Sequence, residues 1–351
     1  YWIDVADFDG FRIDTVKHID RPEVNRNVRG FWGEFADRMR KKAHDLQKQN
    51  FFIFGEAFDG KDDLIGSYTW GGTDTAGSFG RLDSVFYFSQ KYRGIDAVFA
   101  NAGPTKNLEC LYNSRIGRNG TDAWCMQNGY PQGPDYQNTP HATPEQGGIG
   151  LAPTQVLVNF LDNHDLPRFM FEKSDPAIQR VALMYLMTWD GIPCVYYGTE
   201  QGFAGGVDPK NREDMFRGNE ALGFAPWATD HEYYKLVHDL IQLRKDNVAL
   251  RRGQVTPVYS TTVATGRDAG IFGFERSVPG DQTALVVLNA SPQMSESCAS
   301  PGAGCMKTSL PAGSVLTDIM PGSDGATFTV KSDGTVAVTV AARSGRVLVK
   351  K

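Results

Sequence analysis

Three acidic side chains each follow a short apolar run, and carboxylates in this arrangement can perform nucleophilic and acid–base chemistry. Asp14 follows residues 10–13, Glu56 follows 51–55, and Asp165 ends the run 160–165. If these runs are parallel strands of a (β/α) barrel, their carboxyl ends meet on the face where active sites form. A single Asp at such a position commonly caps the next helix. Three acids in one series favour a shared catalytic site.

The three carboxylates suit the hydrolysis of a glycosidic bond with retention of configuration. That reaction needs an ionised carboxylate as nucleophile and a protonated carboxyl as acid, about 5–5.5 Å apart. Arg12, two positions before Asp14 on the same side of the strand, favours the ionised form of Asp14. The apolar neighbours of Glu56 are expected to raise its pKa and keep its proton in place. Asp165 could hold sugar hydroxyls and stabilise an oxocarbenium-like transition state.

The elements that must position these acids alternate between strand and helix over residues 1–248. Apolar runs predict buried strands at 11–13, 51–55, 85–88, 156–161 and 194–197. Helical periodicity covers 28–49, 177–189 and 232–245. This alternation predicts an α/β fold with a parallel sheet. The Gly-, Pro- and Asn-rich stretch 101–153 is too long for a simple connector and is predicted to be a functional loop region.

The pattern changes at residue 249. Alternating or β-branched runs occur at 271–275, 283–289, 327–331 and 335–341, with turn signals such as Asp333-Gly334 between them. These features predict a compact antiparallel β domain, a sandwich, after the α/β part. The predicted domains are therefore 1–248, the catalytic barrel portion, and 249–351, the β domain.

The charge pattern bears on the class of partner. The chain carries a net charge of −5, and its acidic and basic residues are spread along its 351 residues. Without a run of like charge, the sequence gives no sign of a nucleic-acid-binding arm or a basic membrane-binding helix. No transmembrane stretch is apparent. We therefore expect neither nucleic acid nor a membrane as partner.

The five cysteines bear on the cellular compartment. Cys110 and Cys125 flank one irregular stretch, Cys298 and Cys305 flank a short loop, and Cys194 lies in an apolar run. Two local disulfides would leave Cys194 as a free thiol, but spacing alone leaves open whether they form. If they do, the protein is exported. The resulting prediction is a secreted or periplasmic protein.

At these motifs the sequence resembles the α-amylase family, family 13 of the glycoside hydrolases. Residues 10–18 resemble the motif at barrel strand four, 54–58 that of strand five, 160–165 that of strand seven, and 191–201 the strand-eight segment. The motifs follow the family's order over about 190 residues. The resemblance implies the C-terminal part, strands four to eight, of a (β/α)8 TIM barrel, followed by the all-β sandwich domain.

The resemblance also implies roles for individual residues. Asp14 would be the nucleophile, Glu56 the general acid/base and Asp165 the transition-state stabiliser. Substrate-binding roles are implied for Arg12 and His164 where the glycosyl-enzyme forms, for Lys17, His18 and Phe58 on the acceptor side, and for Asp208 and Arg212 on the donor side. For Asp208 and Arg212 a surface ion pair is the alternative. The main-chain oxygen of His18 matches a ligand of a structural Ca2+, which makes calcium the implied cofactor.

The sequence also departs from the family pattern. The strand-three motif, strands one to three and the domain-B loop, which supplies most calcium ligands in the family, have no counterpart here. Five strands of a closed barrel would leave open edges. We therefore expect an N-terminal portion of the same enzyme as a partner of this chain.

The implied activity is retaining endo-hydrolysis of α-1,4-glucosidic bonds in starch, glycogen or maltooligosaccharides. One alternative is an α-glucan transglycosylase of the cyclodextrin glucanotransferase type, in which Phe58 beside the acid/base favours a sugar acceptor over water. Phe58 could equally be a core residue. A second alternative is a non-catalytic glycan-binding relative, which the presence of all three acids disfavours. A barrel enzyme for phosphorylated metabolites would need a glycine-rich phosphate loop, and residues 166–169 contain no glycine.

Overall fold

The computed structural model describes residues 1–22, 24–216, 228–298 and 304–350. The chain divides into two compact units. The first unit is Tyr1–Tyr92 with Cys110–Asn159, and the second unit is Arg93–Glu109 with Phe160–Lys351. This division does not follow the predicted domain boundary after residue 248, which therefore stays a prediction.

Helices and strands alternate in the first two thirds of the chain, and strands dominate the last third. Within the described ranges the α-helices, α1 to α8, are Trp2–Ala6, Gly30–Asp45, Asp62–Ser67, Lys106–Arg115, Ala123–Gln127, Ala177–Thr188, Glu232–Asp246 and Val248–Arg252. Shorter helical turns are Val16–His18, Pro144–Gln146, Pro153–Gln155 and Thr199–Gln201, and a π-helix covers Gln90–Ala100. The strands, β1 to β15, are Gly10–Ile13, Phe52–Gly55, Gly71–Asp74, Gly77–Gly80, Ser84–Val85, Val158–Phe160, Ile192–Cys194, Gln254–Tyr259, Ile271–Ser277, Thr283–Asn289, Ser295–Glu296, Val315–Asp318, Thr327–Thr329, Thr339–Val340 and Ser344–Lys350.

Parallel strands form the centre of the first unit. β1 pairs with β2, and β2 pairs with β5, in the order β1-β2-β5. A parallel bridge between Phe86 and Val158 continues the series to the start of β6. The predicted parallel arrangement is confirmed for these strands. Of the run predicted at 85–88, Val85 ends β5 and Phe86 continues the pairing through this single bridge.

Helix α2 fixes the strands of the first unit through one face. Its buried residues Trp32, Ala36, Arg40 and Ala43 recur every three to four positions, which is the period of a helix. Arg40 forms a buried ion pair with Asp83 (2.8 Å), whose second oxygen accepts the main-chain N–H of Ile53 in β2 (2.9 Å). Burial raises the pKa of the Asp83 carboxyl, and Arg40 opposes this. The predicted helix 28–49 is therefore observed, with shorter ends.

The stretch 101–153 differs from its prediction as a loop. It contains α4 and α5, which are joined by a disulfide between Cys110 and Cys125. Both cysteines are fully buried against Leu111 and Tyr130. The apolar positions here were too few and too interrupted to reveal helices, and the disulfide with its small core replaces the larger apolar face that a helix normally needs.

In the second unit, helix α6 is buried over nearly its whole length. Arg244 of α7 donates to the carbonyl oxygens of Met187, Trp189 and Gly191, which follow or end α6. Carbonyl groups at the end of a helix have no hydrogen-bond donors within the helix, and the Arg244 guanidinium provides these donors. The predicted helices 177–189 and 232–245 are confirmed.

The strand predicted at 194–197 begins and ends earlier in the structure. The strand is Ile192–Cys194, and the chain turns directly after it. Gly198 has a left-handed backbone (φ 85°), and the Thr199 N–H donates to the carbonyl of Tyr196 (3.2 Å). The aromatic pair Tyr196 and Tyr197 looked like a strand because aromatic residues favour strands, but both belong to this turn.

The C-terminal strands of the second unit form the predicted antiparallel sheet. Its order is β13-β12-β15-β10-β9-β8, and β11 pairs separately with β14. Leu285, Leu316 and Leu348 from the six-stranded sheet share one core with Val338 and Val340. A second disulfide joins Cys298 and Cys305, and Cys194 is the free cysteine of the described residues. Both local disulfides of the sequence analysis are therefore present.

None of the helices in the described parts of the chain combines the length and apolar character that a bilayer span requires.

The Cys110–Cys125 disulfide offers a test of what holds the α4–α5 segment. Because the bond closes a loop of 15 residues, the double substitution Cys110→Ala/Cys125→Ala should lower the free energy of unfolding by about 3 kcal/mol. Urea unfolding followed by tryptophan fluorescence measures this loss. Cys194→Ala removes a free thiol and serves as control. Equal midpoints for the double variant and the wild type would show that the small core alone stabilises the segment.

Candidate active site

The carboxyl ends of β1 and β2 bring Asp14 and Glu56 onto neighbouring segments. The last paired residues of the two strands are Ile13 and Gly55. Two further hydrogen bonds continue the pairing: the Glu56 N–H donates to Ile13 O (2.8 Å), and the Val16 N–H donates to Glu56 O (3.0 Å). Each acid therefore directly follows its strand at the same edge of the sheet.

Glu56 is held in a buried position by the turn after β1. Its side chain accepts a hydrogen bond from the Thr15 N–H at Oε2 (3.2 Å), and the residue is 4% exposed. Thr15 has a left-handed backbone (φ 49°), which is unusual for a β-branched residue and points its N–H toward the carboxyl. Trp32 Nε1 supports the same turn by donating to Val16 O (3.2 Å). The turn therefore fixes Glu56 from the side of Asp14.

Asp14 has the opposite environment. Its side chain is 61% exposed, and Arg12 Nη1 lies 2.6 Å from Asp14 Oδ1. The Arg12 guanidinium lies 5.8 Å from the ring centre of Phe86. Asp14 is thus exposed beside a cation, and its role as the nucleophile stays a prediction.

Lys17 and Phe58 also lie together after these two strands. Lys17 Nζ donates to the carbonyl oxygen of Phe58 and lies 3.8 Å from Asp59 Oδ2. Phe58 is 40% exposed, and its ring packs on Phe88 at 4.9 Å between centres. Phe58 is thus not a fully buried core residue. The contact with Asp59 was not foreseen, because a single acid after a strand carries no pattern of its own.

The second unit holds a separate cluster of predicted residues. His164 Nε2 lies 3.2 Å from Asp165 Oδ2, and Arg212 Nη2 lies 3.6 Å from Asp165 Oδ1. Arg212 Nε also contacts Asp208 Oδ1 (2.8 Å) and donates to the carbonyl of His164 (3.3 Å). The ion pair between Asp208 and Arg212 considered in the sequence analysis is present, and the same arginine also reaches Asp165.

Buried residues around this second cluster were missed by the sequence analysis. Asp162 is buried, and its two oxygens accept the Phe169 N–H and the Thr199 hydroxyl, each at 2.9 Å. Arg168 is buried as well and contacts Glu213 Oε2 through Nε (3.0 Å). Nothing in the sequence separates these charged residues from exposed ones, because their partners are distant along the chain.

Calcium is the metal that the family resemblance implies for this chain. The described residues contain no group of three or more His, Cys, Asp or Glu side chains that could hold a metal ion. His18, predicted to offer its main-chain oxygen, lies exposed on the turn Val16–His18. Calcium takes six to eight oxygen ligands, and one carbonyl does not make such a site. The described residues therefore do not hold the ion by themselves.

Comparison with known proteins identifies similar sequences. The family profile "Alpha amylase, catalytic domain" matches residues 150–226. The chain is 30% identical to an α-amylase of Streptomyces lividans, over 99% of this chain and 34% of the relative. It is 29% identical to a cyclomaltodextrin glucanotransferase of Thermoanaerobacterium thermosulfurigenes, over 95% of this chain and 36% of the relative.

A solved structure gives a corresponding match in fold. The α-amylase of Anoxybacillus aligns with a TM-score of 0.67 at 23% identity, over 99% of this chain and 60% of that chain. This match confirms the fold class as a partial (β/α) barrel with a β-sheet domain, while the numbering of its strands as four to eight stays a prediction. The chain spans from 34% to 49% of the length of the first curated relatives.

Gly55, the last paired residue of β2, provides a test of how the site is positioned. A Cβ atom there would lie 2.7 Å from Leu82 Cδ1 and 2.8 Å from Val16 Cγ1. Gly55→Ala should therefore displace the turn after β1 and lower the free energy of unfolding by about 1–3 kcal/mol, as measured by urea unfolding. Gly120→Ala is the matched control, since its Cβ would meet nothing within 4 Å. Equal stability of the two variants would contradict the close packing beneath Glu56.

Proposed function

Because the chain belongs to the α-amylase family of glycoside hydrolases, we propose that it catalyses retaining endo-hydrolysis of α-1,4-glucosidic bonds. The observation that carries the proposal is the contrast between two neighbouring carboxyl groups. Asp14 is exposed beside Arg12, and Glu56 is buried against the same turn. Burial disfavours a charged carboxylate and a nearby cation favours one. In this proposal Glu56 is the acid and Asp14 is the nucleophile.

The proposed reaction has two displacements. In the first, the Glu56 carboxyl gives its proton to the glycosidic oxygen, an oxygen of Asp14 bonds to the anomeric carbon, and the bond to the leaving sugar breaks. In the second, the Glu56 carboxylate takes a proton from water, the water oxygen bonds to the anomeric carbon, and the ester to Asp14 breaks. Each displacement inverts the carbon, so the configuration is retained overall.

The other predicted residues take supporting roles in this proposal. Asp165 stabilises the positive charge that develops at the sugar ring, and Arg12 with His164 binds the sugar at which the glycosyl-enzyme forms. Lys17, His18 and Phe58 contact the acceptor side, and Asp208 with Arg212 binds a sugar further along the donor side. The partial exposure of Asp208 and Arg212 leaves their polar atoms accessible to sugar hydroxyls.

The proposed substrates are starch, glycogen and maltooligosaccharides. Among similar folds, an α-amylase of Geobacillus thermoleovorans was solved in complex with acarbose, and AmyP in complex with maltose.

The two disulfides support an exported protein, since such bonds persist in oxidising compartments. We further propose that Ca2+ and an N-terminal portion of the same enzyme complete the catalytic domain, which is consistent with this chain spanning 34% of the α-amylase of Streptomyces lividans.

Transglycosylation is the second candidate function, and one observation favours it. Phe58 lies two residues after Glu56 and is 40% exposed, so its ring is available to a sugar acceptor. Sugar rings pack on aromatic faces, and an acceptor held there competes with water for the glycosyl-enzyme. The similarity to a cyclomaltodextrin glucanotransferase is consistent with this candidate. Hydrolysis remains the leading proposal.

Glu56→Gln tests the acid/base role. The substitution preserves the shape of the side chain but removes the transferable proton, so kcat on maltooligosaccharides should fall by about 10²- to 10⁴-fold, with little change in Kd. Anomeric 1H NMR of the early products measures turnover, and calorimetry measures binding. Glu34→Gln, on the exposed face of α2, is the matched control.

The outcomes of this experiment separate the proposals. New α-anomers from the wild type, lost in Glu56→Gln, support retaining α-glucan chemistry. Full turnover by Glu56→Gln would show that another group is the acid. Binding of maltooligosaccharides by the wild type without any product would instead fit the non-catalytic alternative.

Phe58→Ser distinguishes hydrolysis from transfer. If the ring holds an acceptor sugar, the ratio of transfer to hydrolysis should fall by about 2- to 10-fold, which corresponds to an aromatic contact of about 0.5–1.5 kcal/mol. Quantitative chromatography of products longer and shorter than the starting maltooligosaccharide gives this ratio. Phe31→Ser removes a comparably exposed ring from α2 as control. A ratio that is the same in all three proteins would assign Phe58 to packing against Phe88 alone.

A further inference from the structure

We infer that Arg168, which is buried, and Glu213, which is mostly buried, form a clamp that positions Asp165 and Arg212 for the reaction. The inference rests on the proposed function, since it depends on Asp165 acting at the sugar. The side chains of Arg168 and Glu213 together are the Arg168–Glu213 clamp. They are positioning residues, because they act through Asp165 and Arg212.

Arg168 lies three residues after Asp165 and has no exposed side-chain surface. Its guanidinium carbon is 4.0 Å from the ring centre of Tyr196 and 4.9 Å from that of Tyr197. Its Nη1 donates to the carbonyl oxygen of Tyr197 (2.6 Å). A planar guanidinium suits this stacked and hydrogen-bonded setting better than an ammonium does. The side chain thus ties the segment after Asp165 to the turn after β7.

Glu213 connects the same guanidinium to the next loop. Its Oε2 accepts from Arg168 Nε (3.0 Å), and its Oε1 accepts the Gly205 N–H (2.6 Å). The Arg168 N–H donates in turn to the carbonyl of Gly205 (2.9 Å), and the Tyr197 hydroxyl donates to the carbonyl of Glu213 (2.9 Å). Residues 205 and 213 are therefore both fixed to Arg168.

The clamp is continuous with the proposed catalytic residue through the two residues before Glu213. Asn211 Nδ2 donates to the carbonyl oxygens of His164 and Leu166, each at 2.8 Å, on both sides of Asp165. Arg212 reaches Asp165 itself at 3.6 Å. Asp165 and Arg168 lie on one segment, and Arg212 and Glu213 lie on another. The two segments contact each other twice, through Arg168 with Glu213 and through Arg212 with Asp165. A displacement of Glu213 therefore moves the cation that faces Asp165.

A merely structural role must be separated from this positioning role. Removal of one partner of a buried ion pair leaves an uncompensated charge and destabilises a protein strongly, whereas replacement of both partners by apolar residues is often neutral. Two variants of the full chain are therefore needed. Glu213→Gln is close in shape, and Arg168→Met/Glu213→Leu removes both charges. Arg180→Met/Glu232→Leu removes a partly exposed ion pair of the same unit and is the matched control.

Crystal structures of these variants give the first readout. We expect Arg212 to leave Asp165 in both clamp variants and to keep its contact in the control. Because this readout requires no turnover, it decides the positioning claim even if the wild type releases no product, in which case the proposed function fails separately. An unchanged contact between Arg212 and Asp165 in both clamp variants would overturn the inference.

Kinetics give the second readout. With maltooligosaccharides of defined length, kcat should fall by about 10- to 100-fold in each clamp variant, and by less than twofold in the control. In an Asp165→Asn background the same clamp substitutions should have almost no further effect on kcat, since residues of one network are not additive. Full additivity with Asp165→Asn, or a loss of stability with an unchanged kcat, would reduce the clamp to a structural role and refute the inference.

Discussion

Parallel pairing between β1 and β2 is the constraint on which the candidate active site depends. Because Ile13 pairs with Gly55, both strands end at the same edge of the sheet. Two main-chain hydrogen bonds of Glu56, to Ile13 and from Val16, continue that register beyond the strands. The absence of a side chain at Gly55 lets Val16 pack beneath the turn. The Asp14 carboxyl is thereby exposed beside Arg12, and the Glu56 carboxyl is buried.

Two arginines, one buried and one partly buried, bind main-chain carbonyls at the ends of these elements. Carbonyl groups that leave a strand or helix lose their regular partners, and a guanidinium offers five N–H donors in a fixed plane. Arg81 donates to the carbonyls of Ser67, Trp70, Arg26 and Val28, and burial lowers its pKa to about 10. Arg244 serves the end of α6 in the same way. The ends of these elements are therefore ordered by a buried guanidinium, Arg81, and a partly buried one, Arg244.

Much of the secondary structure followed from the spacing of apolar residues. Helices α2, α6 and α7 were predictable from their helical period, and the strands around Arg12, Phe54 and Val286 from short apolar or β-branched runs. The turn after Cys194 and the helices α4 and α5 were not, since aromatic pairs and interrupted apolar positions carry an ambiguous local signal. Asp162, Arg168 and Glu213 also escaped prediction. From sequence alone a charged residue is predicted to be exposed, because the distant partner that allows its burial is not known.

The sequence by itself determined the kinds of residue at the strand ends: Asp14 with Arg12, Glu56 among apolar neighbours, and Asp165 beside His164. The pairing of Arg12 with Asp14 followed from their positions in the chain, because residues two apart on a strand point to the same side. Only the tertiary structure decided that Thr15 donates to Glu56, that Arg212 joins Asp165 to Asp208, and that Arg168 pairs with Glu213. Those contacts link residues up to 47 positions apart, as for Arg212 and Asp165. Their free energy depends on burial and geometry, which arise only when the chain is folded.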